Sequence, residues 1–211
     1  PLDFEPDTKY RYSNAGINTA GRIIEVVSGM SYERFLDERL FKPLGMTDTT
    51  FWPNAAQQKR LARAYKSNAA KNGLEEVGIT QLRYPLEDPE RQPMPAGGLF
   101  STARDVGHFG QMVLAGGVFD GQRLLSEAAV RQMTSSQTGD LPQGYGFGFS
   151  VEKRPGGTFG HGGAYATQLR IDPQRQLVMV LMVHHAGFPN GKESRQINPT
   201  FFNAAAELFG K

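Results

Sequence analysis

Soon after the start of the chain, apolar residues recur at helical spacing. Ile17, Ala20, Ile23, Ile24 and Val27 share one face, which predicts a helix over Ile17 to Ser28 closed by Gly29 in a left-handed cap. Ser31 can cap a second helix whose Tyr32, Phe35, Leu36 and Leu40 lie together until Pro43 stops it. From Pro53 to Pro95 sustained periodicity is lost, basic residues run from Lys59 to Lys71, and four prolines close the stretch at positions 85, 89, 93 and 95. This reads as a long loop with short helical pieces. Such a loop suits the wall of a cleft as well as it suits a solvated excursion.

Ser101 or Thr102 starts another helix, with Asp105 near its positive end, Val106, Phe109 and Val113 on one side, and Gly116-Gly117 at its close. A short helix from Ser126 through Met133 follows. After Gly144 the period changes to two: Tyr145, Phe147, Phe149 and Val151 alternate with Gly146, Gly148 and Ser150, which predicts a strand. Tyr165, Thr167, Leu169 and Ile171 alternate likewise, Asp172-Pro173-Gln174 makes a turn, and the apolar run Leu177 to Val183 returns as a buried strand. Asn198-Pro199 signals the start of a last helix carrying Phe202, Ala205, Ala206 and Phe209, with Gly210 past its end. Helices first, then antiparallel strands, then one helix is an α+β order. It divides the chain into a mainly helical lobe with its long loop over residues 1–143, and strands with a C-terminal helix over residues 144–211.

Composition narrows the function classes. With 211 residues and 39% hydrophobic content the chain can bury a substantial core. Its 23 basic residues nearly balance its 21 acidic ones, which disfavours nucleic acid or an anionic membrane as main partner. Without cysteine there is no thiolate nucleophile and no cysteine metal site. The longest apolar run, Leu177 to Val183, is too short for a bilayer span, and the opening residues lack the features of a signal peptide. Opening on Pro1 without methionine points to a processed or excised piece.

Two short motifs bracket the chain. Tyr12-Ser13-Asn14 precedes a helix start; a tyrosine there is a general base only beside a cation, and alone the motif reads as a turn with a packed ring. His161-Gly162-Gly163 leaves room beside an imidazole, so the amide of Ala164 can pair with a peptide-like ligand or donate to an oxyanion; a glycine-rich turn with a surface histidine fits equally well. Ser150-Val151-Glu152-Lys153 matches Ser-x-x-Lys but lies in a period-two stretch, where positions three apart face opposite ways, so it is rejected as a nucleophile. Adjacent His184-His185 have the wrong spacing for one-sided chelation, and no metal site is expected. His108 reads as a helix surface or packing residue. Gly144 to Gly148 lacks the strand-loop-helix context of a dinucleotide loop.

Taken together, four blocks in order resemble the serine β-lactamase and penicillin-binding protein superfamily: Tyr10 to Gly16, Phe41-Lys42-Pro43-Leu44-Gly45-Met46, Ala96 to Thr102, and Gly160-His161-Gly162-Gly163. The resemblance is closest to the class C-like branch of β-lactamases, D-alanyl-D-alanine peptidases and related esterases. It implies a β-lactamase/transpeptidase-like fold, a periplasmic or extracellular location, and catalysis without metal or organic cofactor. By resemblance Tyr12 transfers protons, Asn14 offers its side-chain amide to the substrate, and His161 replaces the lysine of the strand triad. Gly162, Gly163 and Ala164 line the acyl site, with the Ala164 amide as one oxyanion donor.

In that family a Ser-x-x-Lys helix and the first sheet strands lie upstream of the tyrosine loop, so here they are expected outside the chain, and with them the nucleophile. Asp7 stands where relatives often have glycine. The function implied is a hydrolase acting on β-lactam, D-Ala-D-Ala peptide or ester carbonyls through an acyl-enzyme; the alternative is a non-catalytic binding or regulatory domain derived from the same fold. Missing strands leave a sheet edge to cover, which implies docking to the upstream half of the same domain or to another copy.

Overall fold

Ser13 lies at the N-cap of the first helix, α1 (Asn14–Ser28), and its hydroxyl accepts from the Gly16 amide at 3.2 Å. The computed structural model describes residues 3–79, 82, 85–186 and 193–210, with 193–195 by backbone only. The opening Pro1-Leu2 therefore lies outside the described residues, as do positions 80, 81, 83 and 84 of the long loop. The cap makes α1 start three residues before its first apolar position, and Gly29 ends it at φ 67° with its amide returned to Glu25. Just upstream, Asp7 takes φ 63°, the left-handed conformation that glycine adopts freely and aspartate tolerates.

The second predicted helix is α-helical only over α2 (Tyr32–Leu36) and widens into a π turn over Asp37–Phe41. There Lys42 and Met46 donate five residues back, to Asp37 and Phe41 at 2.9 Å each. The long loop contains more order than its pattern predicts. It holds α3 (Ala55–Gln58), capped by Asn54, and a hairpin of β1 (Ala64–Ser67) with β2 (Leu74–Val77). That hairpin has no apolar face to give a period-two signal; ion pairs Arg63–Glu76 and Lys66–Glu75 cross it instead.

Helix α4 (Ala103–Leu114) is capped by Thr102, and a small hairpin of β3 (Val118–Phe119) and β4 (Gln122–Arg123) leads to α5 (Glu127–Thr134). The main sheet follows in order β5 (Ser150–Val151), β6 (Phe159–Gly162), β7 (Gln168–Asp172) and β8 (Leu177–Leu181), all neighbours antiparallel. Two predicted strands are shorter than expected. Tyr145 to Val151 is no single strand, because the chain doubles back: Gly146 donates to Phe149, Gly148 takes φ 85°, and Tyr145 bridges Ser150. Glycines produced the apparent alternation and also permit the turn. Likewise Tyr165 to Thr167 forms a turn before β7, with Ala166 at φ 67°. Helix α6 (Glu193–Phe209) begins before the predicted Asn198-Pro199 start, and Pro199 lies inside it.

Packing follows from strand alternation. Leu169 and Val180 are register partners, as are Ile171 and Val178, so the four share one face. Against that face lies α4, seated through Gly110, where a Cβ would come within 2.5 Å of Val178 Cγ1. The core gathers there from Phe41, Leu44, Met112, Val113, Phe149, Phe159 and Ile171. On the opposite face α6 covers β8, and its Phe202 ring lies 5.5 Å from the Arg170 guanidinium. Thus β8 is covered on both faces by helices.

Two outcomes test this packing. Gly110→Ala, made in the full-length protein, should destabilise it by about 1–3 kcal/mol through overpacking, read as a lower urea midpoint. Burial opposes ionisation of Asp172, but its bonds from the Arg175 amide and guanidinium outweigh that and hold the carboxyl below its ordinary 3.8. A carboxyl lowered in the folded state contributes stability above its unfolded value and loses it as pH falls through the folded one. Asp172→Asn should therefore cost stability at neutral pH, and the gap to the parent should narrow below about pH 4; a pH-independent gap contradicts this.

Candidate active site

Two elements from opposite ends of the chain meet here. Tyr12 immediately precedes the Ser13 cap, and Asn14 is the first residue of α1. On the sheet, β6 carries His161 and ends at Gly162, after which Gly163 to Ala166 turn back into β7. The Tyr12 and His161 ring centroids lie 5.9 Å apart at 34°. His161 Nδ1 is 2.7 Å from its neighbour's carbonyl, Gly162 O; since a carbonyl only accepts, Nδ1 carries the proton and Nε2 is the open nitrogen. Asn14, two residues past Tyr12, is exposed, and among the described residues no hydrogen bond joins its side chain to either ring.

The glycines after His161 leave space that neighbouring side chains of the turn and of β7 occupy. A Cβ at Gly162 would lie 2.6 Å from Gln168 Nε2, and one at Gly163 would lie 2.2 Å from Thr167 Oγ1. The turn itself is closed by Gly163 donating to Thr167 O at 2.8 Å and Ala166 donating to Gly163 O at 3.0 Å. Between these, the Ala164 amide has no acceptor among the described residues. Gly163 and Ala164 also line a largely apolar cavity of 510 Å³, whose other walls include Leu99, Phe100, Val106 and Met182. Thr50 and Phe100 exchange backbone hydrogen bonds at one wall, and the buried Asp105 carboxylate accepts from the Asp48 amide and the Thr49 hydroxyl at 2.8 Å each.

Two aromatic residues to which the motifs assigned no role complete the cluster. Tyr145 contacts Tyr12 at 6.4 Å and His161 at 6.1 Å, and Tyr10 backs Tyr145 at 5.3 Å. Burial, with the nearby Tyr10 and Tyr12 phenols adding to it, pushes the Tyr145 phenol up to about 12. Its only signal in the sequence was a tyrosine framed by glycines. Elsewhere, Ser150 lies in β5, while Lys153 Nζ is engaged by the carbonyls of Gly139, at 2.6 Å, and Leu141. His108 packs on Phe119 and bonds to Leu44 O at 2.8 Å; His184 bonds to Ala62 O at 2.6 Å and meets Tyr165 edge-on. Among the described residues, no three histidines, aspartates or glutamates converge on a metal position, and no helix is long and apolar enough to cross a membrane.

Comparison with known proteins gives the same fold. Residues 1–198 match the family model described as Beta-lactamase. Penicillin-binding protein 4 of Amycolatopsis lactamdurans is 33% identical over 196 residues, which cover 86% of this chain and 49% of that protein. A putative D-alanyl-D-alanine carboxypeptidase of Escherichia coli K12 is 25% identical over 224 residues, covering 97% and 51%. Simvastatin synthase from Aspergillus terreus superposes with a TM-score of 0.80 at 20% identity, over 97% of this chain and 57% of that one, a likeness that bears on fold. Sheet, helices and these matches define a β-lactamase/transpeptidase-type domain of which part is present. The chain belongs to the beta-lactamase family. It spans about half the length of those two curated relatives.

Proposed function

We propose that residues 1–211 are the C-terminal portion of a serine hydrolase that attacks a β-lactam, D-Ala-D-Ala peptide or ester carbonyl, with its nucleophile lying outside these residues. The observation that carries this reading is the contact of Tyr12 with His161, three residues before an Ala164 amide that has no acceptor among the described residues. In the proposed reaction Tyr12 acts as the phenolate beside the upstream lysine cation: the serine oxygen bonds to the carbonyl carbon as the serine proton passes to the phenolate oxygen, leaving a neutral phenol. Charge then collects on the carbonyl oxygen, where the Ala164 amide donates to it. Collapse expels the amine or alcohol, which takes up the proton, and water later hydrolyses the acyl-enzyme. Asn14 orients the substrate, and His161 takes the place of the lysine of the strand triad. Gly162 and Gly163 keep the strand close to the acyl group. Cation chemistry beside Tyr12 falls to the lysine of the upstream Ser-x-x-Lys helix.

The upstream half of the domain is the partner this reading requires. Supporting it are the bare outer edge of β8 among the described residues, the exposed apolar side chains Ile23, Val26 and Val27 on α1, and exposed Leu99 and Met182 at the 510 Å³ cavity. Natural sheet edges are normally protected by charge, proline or a covering element, and Leu177–Leu181 carries neither charge nor proline.

Labelling of the full-length protein by a fluorescent penicillin or an ester-type serine probe tests the reaction and separates lactam from ester preference. Tyr12→Phe, with the fold intact, should slow acylation about 10²–10⁴-fold, the usual share of a general acid-base residue; undiminished labelling removes Tyr12 from the mechanism. An upstream sequence without Ser-x-x-Lys would instead make this a non-catalytic binding or regulatory domain. For the partner, the 211-residue chain mixed with the separately produced upstream half should form a one-to-one complex. Met182→Glu should weaken that complex about tenfold, equivalent to ~1.4 kcal/mol. A chain that is alone a compact, cooperatively unfolding monomer contradicts the docking, and self-association would point to a second copy.

A further inference from the structure

Tyr145 touches both rings of the proposed acyl-transfer pair while belonging to neither motif. Its ring meets Tyr12 at 76° and His161 at 85°, both edge-on, whereas Tyr12 and His161 lie at only 34° to each other. The three contacts close a triangle. Aromatic quadrupoles favour edge-to-face or offset arrangements, so a ring standing across two others resists the rotation of either. Tyr12 depends on this support, being 53% exposed and joined to its surroundings through ring contacts.

The backbone beneath Tyr145 is held equally closely. A Cβ at Gly144 would lie 2.1 Å from Val151 O, and one at Gly146 would lie 2.1 Å from Met133 O, so both flanking residues must be glycine for the backbones to approach. Hydrogen bonds then fix the segment: Val151 donates to Gly144 O at 3.0 Å, Gln137 to Tyr145 O at 2.8 Å, and Gly146 to Phe149 O at 2.8 Å. A loose surface tyrosine needs none of this.

We propose that Tyr145 is a positioning residue of the acyl-transfer site, its ring holding Tyr12 and His161 at the separation and angle that proton transfer requires. The inference rests on the function proposed above and deepens it. It assigns the role to the ring and not to the hydroxyl, whose ionisation burial pushes up to about 12.

The test uses the full-length protein, with acylation followed in Tyr145→Phe, Tyr145→Leu and Tyr145→Ala. Phenylalanine should keep most of the parent kcat. Leucine and alanine should lower kcat by roughly 10²-fold, the scale of a ~1 Å misplacement, with KM changed far less. In NMR spectra of the same variants, the His161 imidazole resonances should move for leucine and alanine and hold for phenylalanine. A folded Tyr145→Leu protein with parental kcat overturns the inference, as does a phenylalanine variant as impaired as alanine. If alanine prevents folding, leucine decides, since it fills the space without a ring. A parent that no probe acylates overturns the acyl-transfer reading and this inference together; an acylated parent with an unaffected leucine variant overturns this inference alone.

Discussion

The close seat of α4 on the sheet governs the arrangement of the whole molecule. Gly110 lets the helix backbone approach Val178 and Leu169, and Leu169 is the register partner of His161. The same helix holds the other wall of the cleft from its N-terminal end. Its Thr102 caps the helix at the Asp105 amide, and its buried Asp105 ties down the Asp48 amide and the Thr49 hydroxyl, next to the Thr50–Phe100 backbone pair. A shift of α4 therefore moves the histidine strand and the apolar cavity together. Interiors packed at this density transmit displacement and do not absorb it.

The sheet shows a second constraint. Both faces of β8 are covered, by α4 and by α6, which suits an interior strand better than an edge. Only its continuation is paired outward: Tyr65 of β1 donates to His184 O and accepts from the Ala186 amide. Over Leu177–Leu181 the outer side is open among the described residues. Helices that flank a strand on both faces leave a third strand as the one element that can meet its remaining hydrogen-bonding groups, which is why the docking proposed for the upstream half centres on this edge.

Legibility in the sequence followed the physics of each segment. Helix α4 was readable because cap, apolar stripe and closing glycines agree, and the β7–β8 hairpin because its turn and its apolar second strand are both strongly marked. The β1–β2 hairpin was not, since its stabilisation is ionic and backbone-based, with exposed side chains at most positions. Gly144 to Ser150 misled for the opposite reason. Glycine at every second place mimics the polar half of a strand, yet glycine is also what allows the chain to reverse at Gly148. Tyr12, Asn14 and His161 were proposed from the order of blocks along the chain, a family-level signal; Tyr145 had no such signal because its contacts with Tyr12 and His161 exist only after that reversal.

Tyr145 also explains how a site can be orderly with few side-chain hydrogen bonds. His161 spends its Nδ1 proton on the neighbouring carbonyl, and Tyr12 is oriented by rings. Hydrogen bonds to the Tyr12 oxygen would compete with the proton it is proposed to exchange, whereas ring contacts orient the phenol and leave its oxygen available. The same logic applies to the Ala164 amide, which has no acceptor among the described residues while the turn around it is closed through Gly163 and Ala166. Geometry is thus set by groups that take no part in the chemistry, and the groups proposed to react are left unsatisfied. That separation is a general requirement for preorganisation, and it is met here on the sheet and tyrosine-loop sides of the cleft.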